Sequence, residues 1–328
     1  MNAKVFDLVA IGNAIVDVLI NVDESFLSKN SLPKGSMTLI DENKAKELYL
    51  NSTAALETSG GSAANTAAGL LNLGSSANFI GRVKEDKLGK VFRDDICKTG
   101  AGFNTSLLKE GPSTGRCLIY VTPDAERTMC TYLGCSILLD EKDIDFSILT
   151  SAKVLYLEGY LWDLDKAKNA FKTAAMECRK NGVKVALSLS DIFCIKRHRE
   201  SFQSLVEEYV DILFANENEI IALYQSSSLN SAVANIQGKC EIAVVTRGSK
   251  GSLIISKEKE YSINSYNFGK TIDTTGAGDL YASGFLHGYI NSKDLLTCGN
   301  FGSICAGHIV TQLGSRSKAS LNKLINES

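Results

Sequence analysis

The second half of the chain repeats one unit, in which a short apolar run is followed by a longer helical segment. Apolar runs at residues 154–157, 183–189 and 212–215 precede helical segments at 166–181, 202–209 and 216–224. Such alternation predicts a mostly parallel sheet with helices on both faces. A further apolar run at 5–11, ended by Gly12 and Asn13, predicts one more strand buried on both faces. The chain is therefore expected to fold as an α/β protein.

The totals set the size and exclude several classes of partner. With 328 residues, of which 44% are hydrophobic, the chain can bury a full core as one large domain with an accessory piece or as two domains. Its 35 basic residues nearly balance 37 acidic ones, so neither nucleic acid nor an anionic membrane is expected as the main partner. Nine scattered cysteines without a CxxC pair predict reduced thiols in a cytoplasmic protein. The apolar stretch at 5–20 carries Asp7, Asn13 and Asp17, which makes it too polar for a membrane span and unlike a signal peptide.

Residues 114–132 change the pattern to an alternation of apolar and polar side chains. A turn at 123–126 divides them, which predicts a β-hairpin with one polar face. Together with strands near residues 15–40, this hairpin predicts a small β-sheet lid. The expected lid comprises 15–40 and 113–133, and the expected large domain comprises 1–14, 41–112 and 134–328. Arg116 and Arg127 on the hairpin either reach an anion or are solvated.

Residues 273–279 are Asp-Thr-Thr-Gly-Ala-Gly-Asp, and they lead directly into an apolar segment that predicts a helix. Glycines let the backbone turn tightly, so successive N–H groups point at one spot and Asp279 falls in the first helical turn. That arrangement suits phosphoryl transfer with Asp279 as a base beside a developing negative charge. The other interpretation is an ordinary strand-to-helix connection, because Gly-rich turns before helices are common. Asp273, at the other end, is expected to be structural or to support an ion.

Two other segments carry polar groups that suit a small hydroxylated ligand. Asp17 comes shortly after the first predicted strand, where ligands of α/β sheets bind, and its carboxylate can accept hydrogen bonds from a vicinal diol. Gly60 and Gly61 open an Ala-rich helix, where the glycine backbone can approach a small polar molecule and Asn65 offers both a donor and an acceptor. The alternatives are a solvated Asp17 and a packed core helix in which Asn65 bonds to backbone.

Two further segments suit a phosphate donor. Asn216 and Glu219 follow a buried strand and can hold the water shell of Mg²⁺, which needs few direct protein ligands when phosphate supplies the rest. The alternative is a polar helix N-cap followed by first-turn acids. The turn from Thr246 through Gly248 to Gly251 either lies along a nucleotide or connects an ordinary hairpin.

Four motifs occur together: Gly60-Gly61-Ser-Ala-Ala-Asn65, Asn216-x-x-Glu219, Thr246-x-Gly248-x-x-Gly251 and Asp273-Thr-Thr-Gly-Ala-Gly-Asp279. In this order and spacing, over nearly the whole chain, they resemble the ribokinase-like, or phosphofructokinase B, family of small-molecule kinases. The segments 12–17, 189–193 and 306–308 are similar to the adenosine kinase branch of that family. Unlike animal adenosine kinases, the chain carries Ala14 where a proline is usual, and its hairpin lid is different.

The resemblance implies a central sheet of about nine strands, a β lid that closes over the phosphate acceptor, and a role for each motif. Asp279 is implied as general base, and the backbone of Gly276, Ala277 and Gly278 as an anion hole for the transferred phosphoryl. The implied acceptor residues are Asp17, Gly60, Gly61 and Asn65 for a ribose, with Asn13 and Ile15 near the base. Asn216 and Glu219 are implied to organise Mg²⁺ and its waters, and the ATP site to include Asn216, Thr246, Gly248, Gly251 and Asn300. Family members often use K⁺ as well.

Three hypotheses follow for the function. The leading one is an ATP-dependent adenosine kinase that makes AMP, and its rival is a sugar kinase of the same family, acting on ribose, fructose or a related sugar. A catalytically silent nucleotide sensor is the third, which the intact Asp279 and glycine turn disfavour. A Rossmann dehydrogenase does not fit, because Gly12 is not part of a GxGxxG motif. Both a monomer and a homodimer are open.

Overall fold

The computed structural model describes residues 4–124 and 126–327, whose strands form two separate sheets. The strands are β1 Phe6–Ile11, β2 Ile15–Asn21, β3 Met37–Leu39, β4 Leu56–Gly60, β5 Ala77–Ile80, β6 Gly115–Val121, β7 Arg127–Tyr132, β8 Ala152–Glu158, β9 Lys184–Ser188, β10 Ile212–Asn216, β11 Ile242–Thr246, β12 Ser252–Ser256 and β13 Glu260–Ile263. The helices are α1 Glu24–Lys29, α2 Glu42–Leu50, α3 Ser62–Asn72, α4 Lys87–Lys98, α5 Phe146–Thr150, α6 Asp165–Lys180, α7 Ile192–Tyr209, α8 Glu217–Tyr224, α9 Leu229–Ile236, α10 Ala277–Ile290, α11 Leu295–Ile309 and α12 Leu321–Glu327. Ala125 of the predicted hairpin turn, and residues 1–3 and 328 of the predicted large domain, lie outside the described residues.

The larger sheet has eight strands in the order β13-β12-β11-β10-β9-β8-β1-β5. Strands β5, β1, β8, β9, β10 and β11 run parallel, while β12 and β13 extend one edge in antiparallel pairing. Helices cover both faces, which is why the parallel strands are continuous apolar runs. The prediction of a mostly parallel sheet between two layers of helices is confirmed, with slightly fewer strands than expected.

Two apolar clusters hold the helices against this sheet. Helices α6 to α9 pack on one face, around the fully buried Phe171 and Phe202. Helices α3, α10 and α11 pack on the other face with the fully buried Phe285. Burying a phenylalanine side chain stabilises a fold by about 1.5–3 kcal/mol. The sheet is therefore a firm base for the loops that leave its strands.

The smaller sheet has five strands in the order β3-β7-β6-β2-β4. It contains the predicted hairpin, β6 and β7, but also β4, from the 41–112 segment that was assigned to the large domain. The domain boundary is corrected there, because β4 pairs antiparallel with β2 and its sequence, Leu-Glu-Thr-Ser-Gly, lacks the apolar alternation of a strand. The predicted polar face is also wrong for β6, which is buried except at Val121, since α2 covers one side of the sheet.

Several of the candidate site residues lie together at one edge of the central sheet. Parallel strands β1, β8, β9, β10 and β11 all end at this edge, and α3 and α10 begin there. Ligands of parallel α/β sheets bind outside the carboxyl ends of the strands. Within residues 4–124 and 126–327, no helix is long and apolar enough to cross a membrane.

Candidate active site

Asp279 lies in the first turn of α10, where two side chains from α3 hold its carboxylate. Ser62 Oγ donates to Asp279 Oδ1 at 2.6 Å, and Asn65 Nδ2 donates to Oδ2 at 3.0 Å. Burial raises the pKa of Asp279, while these two hydrogen bonds and the charge of Arg316 act in the opposite direction. The carboxylate is thus fixed in orientation and has further lone pairs for a proton from a hydroxyl. Asn65 bonds to this carboxylate, not to backbone as the core-helix interpretation expected.

The turn that begins α10 presents backbone N–H groups to the cleft. Gly276 adopts φ +78°, and a Cβ there would lie 2.6 Å from Ser315 Cβ, so only glycine fits. A Cβ at Gly278 would meet no described atom within 4 Å, which leaves its backbone open to a ligand. The N–H of Ala277 instead donates to the carbonyl of Thr274 at 3.2 Å. The predicted three-residue anion hole is therefore corrected at Ala277, whose N–H is already in use.

A cavity of about 850 Å³ opens between the small sheet and this edge of the central sheet. Four of the predicted acceptor residues line it: Asn13, Ile15, Gly61 and Asn65. Asn65 Oδ1 is buried and has no hydrogen-bond partner among the described residues. Buried polar atoms are nearly always paired, so this oxygen is an open acceptor for a ligand hydroxyl.

Exposed apolar side chains also line this acceptor cavity. Met37 and Leu39, on the edge strand β3, are 47% and 58% exposed, and Phe193, in the first turn of α7, is 69% exposed. The first two belong to the small sheet and the third to the large domain, so they flank the cavity from two sides. Apolar surface of this kind in a cavity suits a flat, weakly polar part of a ligand.

Asp17 lies within β2 of the small sheet, not beyond a strand of the central sheet as predicted. It is two residues from Ile15 on the same face of the strand, and it lies level with Thr131 in the register of the sheet. Both Ile15 and Thr131 line the acceptor cavity, and side chains two residues apart on a strand share a face. Asp17 therefore faces the cavity, but from β2 of the small sheet and not from the end of β1 in the central sheet.

The carboxylate of Asp17 is charged, half-buried and unpaired. A Cβ at Gly60 would come within 2.4 Å of it, so Gly60 makes room for this side chain. Asp17 accepts no hydrogen bond from the residues that the structure describes. Burial raises the pKa of Asp17 to about 6, against the opposing charges of Arg316 and Arg127. An unpaired carboxylate beside a cavity can accept two hydrogen bonds from a diol.

Asn13 was expected to lie near the nucleobase of a ligand, but its side-chain amide is hydrogen-bonded within the protein. Asn13 Nδ2 donates to Glu158 Oε1 at 2.9 Å, and Ser136 Oγ donates to Asn13 Oδ1 at 2.8 Å. Glu158 also accepts from the N–H of Ala63 at 2.8 Å, and burial raises the pKa of Glu158 to about 7. Gly61 adopts φ +99° with its Cβ position 2.2 Å from the carbonyl oxygen of Asn13. Asn13 and Gly61 thus shape the cavity floor through backbone and a buried carboxylate.

Asn216 and Glu219 form a reciprocal cap at the start of α8. Asn216 Nδ2 donates to Glu219 Oε1 at 2.7 Å, the Asn216 N–H donates to Oε2 at 2.9 Å, and the Glu219 N–H donates to Asn216 Oδ1 at 2.9 Å. Both residues line the acceptor cavity, and burial raises the pKa of Glu219 to about 7. Each carboxylate oxygen has a further lone pair, so the pair fits Mg²⁺ held through water. In the described part of the chain, no cluster of three or more His, Cys, Asp or Glu side chains could bind a metal directly.

A second cavity, of about 370 Å³, adjoins the first, and the residues that line both are Thr246, Thr274, Ala277, Gly278 and Tyr281. Three predicted donor residues line it: Thr246, Gly248 and Gly251. Asn300 does not, and the prediction is corrected there, because Ser303 and Gly307 present the lining face of α11. The segment 265–271 also lines this donor cavity, and no sequence motif had marked it.

The two hairpin arginines are buried ion-pair and stacking residues, not solvated ones. Arg127 Nη1 lies 2.8 Å from Asp273 Oδ2, with side chains 8% and 5% exposed. The guanidinium of Arg116 lies over the rings of Tyr49 and Tyr132, 5.7 and 5.5 Å from their centroids. Arg127 thus joins the small sheet to the loop that carries Asp279's turn, while Arg116 stabilises the small sheet itself.

Three residues of the site were missed in the sequence. Ser62 carried a usable signal, because it opens the helix directly after the glycine pair and stands three residues before Asn65. Glu158 carried a weaker one, a carboxylate at the end of a buried strand on the ligand-binding edge. Arg316 carried none, because it lies in an irregular segment far along the chain from its partner Ser59.

Two cavities that share Gly278, the residue before an oriented carboxylate, can hold an acceptor and a phosphate donor side by side, which is the layout of a small-molecule phosphotransferase. Comparisons with known proteins agree. Residues 7–322 match the pfkB family carbohydrate kinase profile. The chain belongs to that family, and its reaction class is phosphoryl transfer to an alcohol.

The relatives differ in the substrate that their names state. A probable sugar kinase from Rhizobium etli CFN 42 and the adenosine kinase from Sinorhizobium meliloti are each 41% identical, with a TM-score of 0.91 and 99% of both chains covered. The 5-dehydro-2-deoxygluconokinase of Bacillus subtilis (strain 168) is 26% identical over 95% of this chain and 92% of its own. The fold is therefore that of ribokinase-like kinases.

Proposed function

We propose that the protein transfers the γ-phosphoryl group of ATP to the 5′-hydroxyl of adenosine, giving AMP and ADP. The observation that carries this proposal is the apolar lining of the acceptor cavity, formed by Met37, Leu39 and Phe193. A purine base needs such a surface, whereas a free sugar does not. The 41% identity to the adenosine kinase from Sinorhizobium meliloti supports the same substrate.

Two unpaired side-chain oxygens can accept hydrogen bonds from the sugar of the substrate. Asp17 has an unpaired carboxylate on the cavity side of β2, and Asn65 Oδ1 is buried without a partner in the described structure. Both groups accept hydrogen bonds, and the hydroxyls of a ribose donate them. In our proposal Asp17 accepts from the ribose diol, while Asn65 also orients Asp279 toward the 5′-hydroxyl.

Asp279 acts as the general base in this proposal. The 5′-oxygen attacks the γ-phosphorus, its proton passes to the Asp279 carboxylate, and the bond between the γ-phosphorus and the β–γ bridging oxygen breaks to release ADP. The N–H of Gly278, which has no hydrogen-bond partner among the described residues, stabilises charge on the transferred phosphoryl, because a fixed backbone donor needs no reorganisation during the reaction. The small sheet covers the site and excludes water, which limits hydrolysis of ATP.

Mg²⁺ fits the Asn216–Glu219 pair through water, and it would neutralise charge on the phosphates of ATP. The K⁺ that the family resemblance implies stays a prediction. We also propose purine salvage as the role and the cytoplasm as the location, which the nine free cysteines support.

A sugar kinase is the second candidate. The probable sugar kinase from Rhizobium etli is as similar to this chain as the adenosine kinase is, and the Bacillus subtilis relative carries a sugar-acid kinase name. Arg127 and Arg316 near Asp17 would suit an acceptor that carries a carboxylate. Under this alternative, Asp279 and Gly278 keep the same roles, and only the occupant of the acceptor cavity changes.

A substrate panel tests the choice. The purified protein is assayed with ATP and Mg²⁺ against adenosine, ribose, fructose and 5-dehydro-2-deoxygluconate. We expect kcat/KM for adenosine to exceed that of each sugar by at least ~100-fold, since the base adds about 3 kcal/mol of binding in the transition state. Turnover of a sugar with no turnover of adenosine would overturn the proposal in favour of the second candidate.

Phe193→Ala tests whether a nucleobase binds in the acceptor cavity. If a base packs on this ring, the KM for adenosine should rise ~10-fold while the KM for ATP stays constant. Leu296→Ala is the matched control, because Leu296 is 47% exposed and lies outside both cavities. Equal adenosine KM values in the two variants would contradict a base contact at Phe193.

A further inference from the structure

Three consecutive residues after α11 connect the catalytic turn to the small sheet. The N–H of Gly314 donates to Asp273 Oδ2 at 2.8 Å, and Ser315 packs against Gly276, the residue that precedes α10. Arg316 Nη2 then donates to the carbonyl and the hydroxyl of Ser59 on β4, at 3.0 and 3.2 Å. The segment 314–316 therefore contacts both the turn that precedes α10 and strand β4 of the small sheet.

The guanidinium of Arg316 is not satisfied by these contacts. Its Nε and Nη1 atoms are buried and have no partner among the described residues. Three carboxylates act on its charge, and their neighbours contact the same segment: Ser59 bonds to both Arg316 and Asp95 of α4, the adjacent Gly60 lies against Asp17 of β2, and Ser315 packs on the turn that leads to Asp279 of α10. Asp95 is fixed in turn, since its Oδ2 accepts from the N–H and the hydroxyl of Ser59 at 2.8 and 2.7 Å. The guanidinium thus has free donors and feels the charge of three acids, and the proposed reaction uses two of those acids, Asp17 and Asp279.

We propose that Arg316 is a positioning residue that keeps Asp17 and Asp279 ionised together, so that the diol ligand and the base work at the same pH. This inference rests on the proposed function, because it assigns no new substrate. Two half-buried carboxylates near each other oppose ionisation, both through burial and through mutual repulsion. A guanidinium stays protonated under all these conditions and offsets both effects.

Other charged and titratable groups face the same two acids. Those near Asp17 are Arg127 on β7, Cys117 on β6 and Asp279 on α10; those near Asp279 are Glu158 and Tyr156 on β8, Tyr160 after it, and Asp17. Burial holds the thiol and both phenols neutral by raising their pKa values, and the carboxylates add negative charge. Arg316 acts on both Asp17 and Asp279, whereas Arg127 acts on Asp17.

The test is the pH dependence of kcat and kcat/KM for the acceptor in Arg316→Met and Arg316→Lys. Loss of the charge should raise the pKa values of both acids, so the acid limb of the Met variant should move up by about one pH unit. At pH 6.5 we expect a loss of ~10-fold that shrinks above pH 8, and a near-normal profile for the Lys variant. Arg93→Met, which removes an exposed arginine on α4, should leave the profile unchanged.

Further variants and readouts keep the inference falsifiable. Asp95→Asn removes a negative charge beside Arg316 and should move the acid limb in the opposite direction, to lower pH. Without substrate, the stability of Arg316→Met relative to wild type should fall as pH rises past about 6, because its acids then ionise uncompensated. A loss of activity that is equal at every pH, or a stability difference independent of pH, would overturn the assignment. Wild-type protein that turns over no acceptor would count against the proposed function, while the stability test still decides the role of Arg316.

Discussion

The two cavities are built from different materials. The acceptor cavity contains ionisable and amide side chains from distant segments, and the proposed chemistry depends on Asp17, Asn65 and Asp279. The donor cavity is lined mostly by glycine, serine and threonine, such as Gly248, Gly251 and Ser303. One cavity therefore presents ionisable and polar side chains beside its apolar surface, and the other presents backbone and small side chains. Changes of side-chain charge should therefore alter the KM for the phosphate acceptor, whereas added side-chain bulk should alter the KM for ATP.

The largest effect is expected from Asp279→Asn. The amide keeps the shape and the contacts with α3 but cannot take the hydroxyl proton, so kcat should fall by at least ~10³-fold. The KM for ATP should change less than about threefold, because Asp279 lies on the acceptor side. Steady-state kinetics with both substrates varied would measure this.

Asp294→Asn is the matched control for Asp279→Asn. Asp294 also stands at a helix start, where it caps α11 through the N–H of Thr297 at 3.0 Å, but it lines neither cavity. Its kcat should match wild type. An Asp279→Asn protein that retained more than a tenth of wild-type kcat would exclude this carboxylate as the base.

Gly278→Ala should lower activity without loss of stability. The new methyl group meets no described atom within 4 Å and projects into the space where the cavities meet. Alanine in a helix is favoured over glycine by about 1 kcal/mol, so the variant should unfold at an equal or higher temperature. Its kcat should fall ~10²-fold, because the phosphoryl group can no longer approach the backbone donor. Unchanged kcat with raised stability would show that the transferred group does not pass beside Gly278.

Asp17→Asn should weaken binding of the phosphate acceptor and raise the stability of the folded protein. We expect the acceptor KM to rise about 30-fold with an unchanged KM for ATP, since a carboxylate binds a diol through two charge-assisted hydrogen bonds. In the folded protein burial raises the pKa of Asp17 from 3.8 to about 6, so ionised Asp17 destabilises the native state as pH rises through that window. Above pH 6 the Asn variant should therefore be more stable than wild type by on the order of 2 kcal/mol.

Urea unfolding at several pH values would measure the stability effect of Asp17→Asn. Below about pH 3 both proteins carry a neutral side chain at position 17 in both states, so the difference should vanish there. A stability gain that persisted unchanged at low pH would point to packing rather than to the charge of Asp17.

Local patterns predicted the central sheet well, because a strand buried on both faces must be apolar throughout, as in β10 and β11. They failed for β4, whose pairing partner makes it a strand although its own sequence does not. The same limit applies to the site. Gly276 and Asp279 lie in one continuous motif, so the sequence alone indicates that they are neighbours, whereas it does not indicate that Asn13 bonds to a carboxylate 145 residues away. Arg316 is 257 residues from Ser59, and no local periodicity encodes such a contact.

Gly248→Ala should give the smallest effect and tests the donor side. Gly248 has φ +57°, and a Cβ there would meet no described atom within 4 Å, so alanine costs only about 1–2 kcal/mol of backbone strain. Gly238→Ala is a matched control, since Gly238 has φ +77° and equally open surroundings but lines neither cavity. Both variants should lose similar stability, while only Gly248→Ala should raise the KM for ATP, by about threefold, with the acceptor KM constant. A rise in the acceptor KM instead would mean that the boundary between the two cavities does not separate the two substrates.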